Sequence, residues 1–200
     1  MFRTVSCLSL FLLSTITAAA QMPQAPFQPF TLKDVGSISI PGTMMLQAPG
    51  AQSAPSETVF QQKPAAEIKV TTYARVMVDT WISKPGTYRK LAVKISSTPA
   101  QIRALDTSTK NDTTNAFEGT GLRIIRWDGV SVVTLNGRSA VRTAYLRQLN
   151  QNPPVYVELF EIHNNDRVHM LTVSYRDQDA ALWKSALEHT KNSLTITNIR

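Results

Sequence analysis

The chain has almost no cysteine, and this absence excludes several kinds of chemistry at once. Its one cysteine, Cys7, lies within the first 20 of the 200 residues. We expect those residues to be a cleaved leader, so the remaining chain has no thiol. Disulfides, cysteine nucleophiles, cysteine zinc sites and iron–sulfur clusters are then excluded. A domain without disulfides depends on its core, and a chain of this length buries roughly two thirds of its unfolded surface.

Glycine is also scarce, at eight residues, and the catalytic motifs that need glycine or paired histidines are missing. The sequence has no phosphate-binding loop, no Gly-x-Ser-x-Gly elbow, no His-Glu-x-x-His and no calcium loop. We therefore assign no catalytic residue, no metal and no cofactor, and we expect a protein that is not an enzyme. Two-carboxylate chemistry stays open, because Asp79, Asp128, Glu158 and Glu161 could converge.

No apolar run reaches the 18 or more residues that a membrane-spanning helix requires. The run from Val5 to Ile16 follows the charged Arg3 and precedes Ala18-Ala19-Ala20, which is the pattern of a secretory signal with cleavage before Gln21. An uncleaved anchor is the alternative. We predict an exported protein, periplasmic or secreted, with no transmembrane span after signal cleavage. The missing cysteines favour a bacterial envelope.

Proline is plentiful near the start of the chain, with six residues between Gln21 and Pro55. Proline interrupts both helices and strand ladders. We predict a signal peptide over 1–20, a proline-rich disordered lead over 21–35 and one domain over 36–200. At the front of that domain, Ser37 to Ile40 followed by Pro41-Gly42 predicts a short edge strand.

Alternating apolar residues predict a sheet organised around residues 129–175. The strands expected there cover 131–135, 139–149, 155–163 and 168–175. Asn136-Gly137 predicts a tight hairpin, and Asn164 to Asp166 predicts a three-residue loop that places Glu161 opposite His169. Further strands are expected over 58–63, 68–82, 91–95 and 193–198.

Two helices are expected beside the sheet, over 99–110 and 178–191. Thr98, Pro99 and Gln101 form a capping-box pattern at the start of the first helix. Asp177 should cap the second helix, whose apolar stripe comprises Trp183, Ala186, Leu187 and Thr190.

Three sets of residues are candidate sites, and each also has an ordinary structural explanation. Glu161 and His169 form a polar pair that could orient an imidazole, although a two-residue pair lacks a third metal ligand. Arg138 and Arg142 share a strand face with Ala140 and Ala144, which suggests a shallow basic strip for binding. The remaining candidates are Trp81 and Trp127, which could line a pocket or form the rim of the core.

The net charge also limits the partners. Loss of Arg3 lowers the formal net charge from +7 to +6. Outside the cytoplasm we expect no nucleic acid partner but an envelope protein or an anionic envelope component, which a positive field would attract.

Residues 36 to 198 resemble the PsbP-like fold family, which includes PsbP and envelope proteins of the LpqN and DcrB type. The resemblance rests on Ile40-Pro41, Asn136-Gly137-Arg138-Ser139-Ala140, Tyr145, Leu171-Thr172-Val173-Ser174-Tyr175 and the ending Ser193-Leu194-Thr195-Ile196. The chain departs from the family in its prolines between Pro41 and Pro55 and in a long strand over 68–82. The resemblance implies a sheet with helices on its faces and a binding or assembly role without catalysis.

The sequence as a whole predicts an α+β protein with a central antiparallel sheet flanked by helices, in a PsbP-like α/β/α sandwich. We expect a non-enzymatic binding or accessory protein of the cell envelope. Two alternatives stay open: an envelope hydrolase with an unrecognised carboxylate or histidine site, and a carrier of a lipid or small apolar ligand with an enclosed cavity.

Overall fold

A computed structural model describes residues 26–50, 54, 56–88 and 95–197. Its strands are β1 (Phe27–Leu32), β2 (Gly36–Pro41), β3 (Met44–Leu46), β4 (Thr58–Gln62), β5 (Ala74–Ile82), β6 (Leu122–Leu135), β7 (Arg138–Leu149), β8 (Val155–Asn164), β9 (Arg167–Arg176) and β10 (Thr195–Ile196). Its helices are α1 (Ala65–Ile68), α2 (Pro99–Phe117) and α3 (Ala180–Ser193), with a 3-10 turn at Asp177–Asp179. The predicted leader and most of the predicted strand over 91–95 lie outside the described residues.

The strands form two antiparallel sheets. The larger has seven strands in the order β3-β4-β5-β9-β8-β7-β6, and the smaller has the order β1-β2-β10. The α+β class with a central antiparallel sheet is therefore confirmed. The core lies on one face of the large sheet, between it, α3 and the small sheet, and its largest buried side chains include Trp183, Phe60, Ile38 and Ile40. The helix α2 lies against β6, the last strand in the order of the large sheet.

The predicted lead without structure extends too far. Residues 27–32 form β1, which pairs along its whole length with β2. The strand β2 is consequently the central strand of the small sheet rather than an edge, because β10 pairs with its other side. The closing strand is confirmed in part, at Thr195–Ile196. Pro29 is tolerated because β1 is itself an edge strand.

The predicted strand over 68–82 is wrong over residues 68–73. Pro64, Ala65, Ala66 and Glu67 favour a turn of helix, and α1 ends with Lys69 in the left-handed region at φ 61°. The strand β5 begins only at Ala74. From there the predicted alternation holds, since Ala74, Val76, Val78 and Thr80 are all buried.

The β6–β7 hairpin confirms the Asn136-Gly137 prediction, because Leu135 pairs with Arg138 and both turn residues have positive φ. The next predicted register is wrong by one residue. Asn164 stays in the β8 ladder and pairs with Arg167, which leaves a two-residue loop of Asn165 and Asp166. Asn164 is fully buried and its side chain contacts His169, so a loop position was the wrong reading of this asparagine.

The first predicted helix is confirmed at its start and wrong at its end. Thr98 and Gln101 form the complete capping box, but α2 continues to Phe117 instead of ending near residue 110. Hydroxyls within it bond carbonyl groups of the preceding turn, as Thr107 and Thr113 do at 3.0 and 2.7 Å. Its C-terminal Phe117 also packs edge-on against Tyr145 of β7, which anchors the last turn.

The second predicted helix is confirmed with a different cap. Trp183, Leu187 and Thr190 are buried as the stripe predicted. Asp177 belongs to the 3-10 turn instead of capping α3. Asp179 takes the cap position, but its carboxylate accepts hydrogen bonds from the Thr72 hydroxyl at 2.7 Å and the Tyr73 amide at 3.0 Å.

Candidate functional site

Among the described strands, β6 is one of the two edge strands of the large sheet, and its first half is irregular. Its register with β7 shifts between Ile124 and Arg126 and again between Trp127 and Gly129. Ile125 and Asp128 therefore have no partner in β7, and Ile125 is 44% exposed. Bulges of this kind bend a strand and change the direction in which its side chains point.

Asp106 fastens α2 to this irregular strand. Its Oδ1 accepts hydrogen bonds from Trp127 Nε1 at 2.9 Å and from the Val130 amide at 2.8 Å. Gly129 lies between these two donors with φ +96°, and a Cβ at that position would lie 3.2 Å from Asp106 Oδ1. The glycine therefore gives both the backbone conformation and the room that this contact requires.

An open groove lies between the C-terminal half of α2 and the first half of β6. It has a volume of about 670 Å³, and its apolar lining residues are Phe117, Leu122, Ile124, Ile125 and Trp127. The Trp127 indole is stacked on Tyr145, with ring centroids 5.7 Å apart and an interplanar angle of 11°. This stacking holds Trp127 in place as a wall of what we call the α2–β6 groove.

The α2–β6 groove has a positive rim. Lys110, Arg123 and Arg126 line it together with one acidic residue, Glu118, and Arg147 pairs in register with Ile124. Arg123 donates to the neutral Gln148 Oε1 at 2.6 Å. Within the part of the chain that the structure describes, Lys110, Arg123 and Arg147 form no ion pair. Their charge is therefore available to an incoming anion.

Arg126 differs from the other cations of the groove because its charge is paired. Its Nε lies 2.6 Å from Asp128 Oδ1, and its guanidinium lies 6.0 Å from the centre of the Tyr156 ring. The hydrogen bond from Arg126 lowers the pKa of Asp128. This pair separates the α2–β6 groove from a second depression of about 360 Å³ between α3 and strands β6 to β9, which we call the charged cleft.

The charged cleft contains a chain of ion pairs. Glu158 contacts Arg142 Nη2 and Lys191 Nζ, both at 2.7 Å, and Lys191 also contacts Glu188 at 2.7 Å. The Lys191 side chain is only 8% exposed. Burial acts to raise the pKa of Glu188, but the hydrogen bond and charge of Lys191 outweigh it and lower that pKa. These ion pairs join α3 to the sheet.

The predicted basic strip is not an exposed surface. Ala140 and Ala144 are fully buried, and Arg142 bonds both Glu158 and the Tyr156 hydroxyl. Arg138 lies apart at the β6–β7 hairpin. The alternation placed these residues on one face correctly, but it did not show that α3 covers that face.

The two predicted tryptophans do not share a pocket. Trp127 lines the α2–β6 groove, whereas Trp81 is the penultimate residue of β5. Its side chain is 56% exposed, and its Nε1 donates to Asp79 Oδ2 at 2.8 Å. Strands β9, β8 and β7 lie between β5 and β6.

The predicted polar pair is separated by the corrected register. Glu161 pairs with Met170, and His169 pairs with Ile162, so the two side chains lie on opposite faces of the sheet. His169 is 1% exposed and contacts the Thr80 hydroxyl through Nδ1 at 3.0 Å. Burial lowers the pKa of His169 to about 4. Burial also raises the pKa of Glu161.

Sequence reasoning missed the α2 side of the groove. Asp106 and Lys110 fall in a polar run over 106–115 that gave little reason to extend the helix to Phe117. The half-buried positions of α2 are Ile102, Asp106, Thr109, Thr113 and Phe117, a helical spacing carried mainly by polar residues. That spacing was the available signal, and a search for apolar periodicity alone overlooks it.

Some sites are absent from the described part of the chain. In the ranges given above, no three His, Cys, Asp or Glu side chains come together as a potential metal site. No helix in those ranges has both the length and the apolar content to cross a membrane.

Comparison with known proteins gives a likeness of fold. No protein-family model matches the chain, and no curated protein matches it in sequence. The solution structure of cyanobacterial PsbP (CyanoP) from Synechocystis sp. PCC 6803 is 11% identical, with a TM-score of 0.56 over 92% of this chain and 100% of that one. A protein from Bacteroides thetaiotaomicron VPI-5482 with a known crystal structure is 8% identical in sequence, and its TM-score is 0.51 over 88% of this chain.

The chain spans about half of that Bacteroides protein, 49% of its length. LpqN of Mycobacterium tuberculosis, described as involved in cell envelope biogenesis, is 15% identical with a TM-score of 0.47 over 86% of this chain and 91% of that one. At such low identities, the likeness to CyanoP shows the fold alone. This chain has the PsbP-like fold.

Proposed function

We propose that this chain is an exported, non-enzymatic accessory protein of the cell envelope that binds another envelope component through the α2–β6 groove. The observation that carries this proposal is an apolar groove on an edge strand where two lining cations, Lys110 and Arg123, have no ion-pair partner in the described part of the chain. Surface apolar clusters of this kind are typical of interaction sites. The positive charge of the whole chain favours an anionic partner.

The charged cleft is the weaker candidate for binding. Its cations Arg142 and Lys191 are each held by a carboxylate at 2.7 Å, so a ligand would have to displace an existing ion pair. Truncating such pairs leaves a buried charge and is costly. The groove requires no such exchange, since Arg123 bonds only a neutral amide.

A hydrolase using Glu161 and His169 is disfavoured by their positions. A general base and its partner must lie within hydrogen-bond reach of the same substrate. These two side chains lie on opposite faces of the sheet, and the neutral imidazole of His169 is 1% exposed. Neither the α2–β6 groove nor the charged cleft is the enclosed cavity that a carrier of a small apolar ligand would use.

In-cell crosslinking of the tagged chain in its native host, followed by mass spectrometry, tests the proposal. We expect a specific partner with the unaltered chain, lost when Lys110→Glu and Arg123→Glu are combined. Arg138→Glu is the matched control, because it reverses one charge at the far hairpin, and it should keep the partner. A partner kept by the double variant, or lost equally in the control, would overturn the assignment of the groove.

A further inference from the structure

No described strand pairs with the outer edge of β6, and this edge identifies the kind of partner. This inference rests on the proposed function of the α2–β6 groove. We infer that the partner contributes an extended peptide segment of alternating apolar and acidic residues, which adds to the large sheet as a strand along residues 123–128.

The edge of β6 is capped by side chains at two places. At one, the Leu122 amide donates to Thr120 Oγ1 at 3.2 Å. At the other, the Val130 amide donates to Asp106 Oδ1 at 2.8 Å. Between them, in the described part of the chain, no group outside β7 hydrogen-bonds to the backbone of residues 123–128. The uncapped stretch therefore presents main-chain donors and acceptors to solvent, which is what an added strand pairs with.

The uncapped stretch has the length of a short strand. Because of its two bulges, residues 123–128 lie opposite only four residues of β7, 145–148, which span roughly 13 Å when extended. A peptide of that length would run beside the apolar lining of the groove. A lipid or a polysaccharide would not provide backbone amides and carbonyls at the spacing that a strand edge requires, so the edge favours a protein segment.

The charges around the stretch favour an acidic segment. Side chains of an added strand alternate between the two faces of the sheet. On one face they would meet Trp127 and Ile124, which favours apolar residues. On the other they would meet Arg123, whose register partner Gln148 lies on that face, which favours carboxylates. Lys110 and Arg147 add to the positive field along the groove.

A synthetic probe tests the inference directly. The probe is a fluorescein-labelled peptide of four Glu-Val repeats, titrated with the full chain and followed by fluorescence anisotropy. We expect the combined Lys110→Glu and Arg123→Glu variant to bind the Glu-Val probe at least about tenfold more weakly, which corresponds to about 1.4 kcal/mol. The same variant should gain affinity for a Lys-Val probe, while Arg138→Glu should match the unaltered chain. Equal binding of both probes by all variants would overturn the charge assignment.

A second probe separates strand addition from simple contact with the groove. N-methylation of alternate residues keeps the side chains of the Glu-Val peptide but removes half of its amide donors. Strand addition predicts a loss of affinity of about tenfold or more, since several backbone hydrogen bonds are lost. Equal affinity of the methylated and unmethylated probes would overturn strand addition.

The inference about the peptide and the proposed function of the groove can fail separately. If no Glu-Val probe binds while crosslinking still shows a partner that depends on Lys110 and Arg123, the peptide inference is wrong and the proposed function stands. If the probe binds as expected but the in-cell partner does not depend on those residues, the proposed function is wrong in its choice of surface.

Discussion

At the scale of single residues, His169 shows how burial decides the role of a titratable group. Its imidazole lies between Thr80 and Asn164 in the core, and desolvation, followed by the charge of Arg167, lowers its pKa to about 4. A histidine in this setting is a neutral hydrogen-bonding residue of the core. Its proton uptake opposes folding.

We predict that His169 makes the stability depend on pH. The unfolded chain binds a proton at this histidine below about pH 6.5, and the folded chain only near pH 4. The contribution is therefore complete above pH 6.5 and is lost as the pH falls toward 4, by about 3 kcal/mol in total. Urea unfolding at several pH values between 4 and 7 gives the free energy of unfolding as a function of pH. This free energy should change less with pH for His169→Gln than for the unaltered chain. The same pH dependence in His169→Gln and in the unaltered chain would contradict the account.

Lys191 is the second residue whose burial carries a prediction. It bridges Glu158 and Glu188 with its side chain 8% exposed, so Lys191→Met leaves Glu158 buried with one cation fewer. We expect a loss of about 3 kcal/mol in the free energy of unfolding. Glu188→Gln is the control, because the Glu188 side chain is 57% exposed, and it should cost less than about 1 kcal/mol. Equal losses for the two variants in chemical denaturation would show that the ion-pair chain does not fasten α3.

At the scale of elements, the two long helices are held in different ways. Four residues of α3 are buried, Trp183, Leu187, Thr190 and Lys191, whereas α2 has none. Its polar anchor is Asp106, which bonds Trp127 and Val130 of β6. Elements with few buried apolar contacts open locally at lower free energy, so α2 should be the less protected helix.

Hydrogen exchange measured by mass spectrometry tests this difference. We predict that α2 amides exchange before α3 amides, and that Asp106→Ala speeds exchange across α2 and residues 127–130 by weakening α2 locally by about 1 to 3 kcal/mol. Exchange in α3 should be unchanged. Asp112→Ala, on the exposed side of the same helix, serves as the control. Faster exchange across the whole chain in Asp106→Ala would mean that this residue supports global stability rather than one helix.

The elements also show what the sequence could and could not predict. The Thr98 capping box, the Asn136-Gly137 hairpin and the Trp183 stripe were predictable because each depends on residues close in sequence. The β8–β9 register was not, since Asn164 looks like a loop residue until its contact with buried His169 is known. The end of α2 escaped for the same reason, because Asp106 and Phe117 are anchored by β6 and β7.

At the scale of the whole molecule, the division of the large sheet into two faces explains the fate of the candidate sites. One face carries the core under α3 and the small sheet, and it absorbs Arg142 and His169 into packing and ion pairs. The edge at β6 is left with apolar side chains and unneutralised cations. The sequence placed Arg142 and His169 on strands correctly, but only the topology shows which face is covered and which strand is outermost.

We propose that a partner binds at the β6 edge of the molecule, in the α2–β6 groove. The most direct measurement is site-specific photo-crosslinking in the native host, with a benzophenone amino acid placed at Ile125 in the groove or at Ser185 on the outer side of α3. We predict a discrete crosslinked product from position 125 and none from position 185. A product from position 185 with none from position 125 would contradict the claim and move the binding surface to α3.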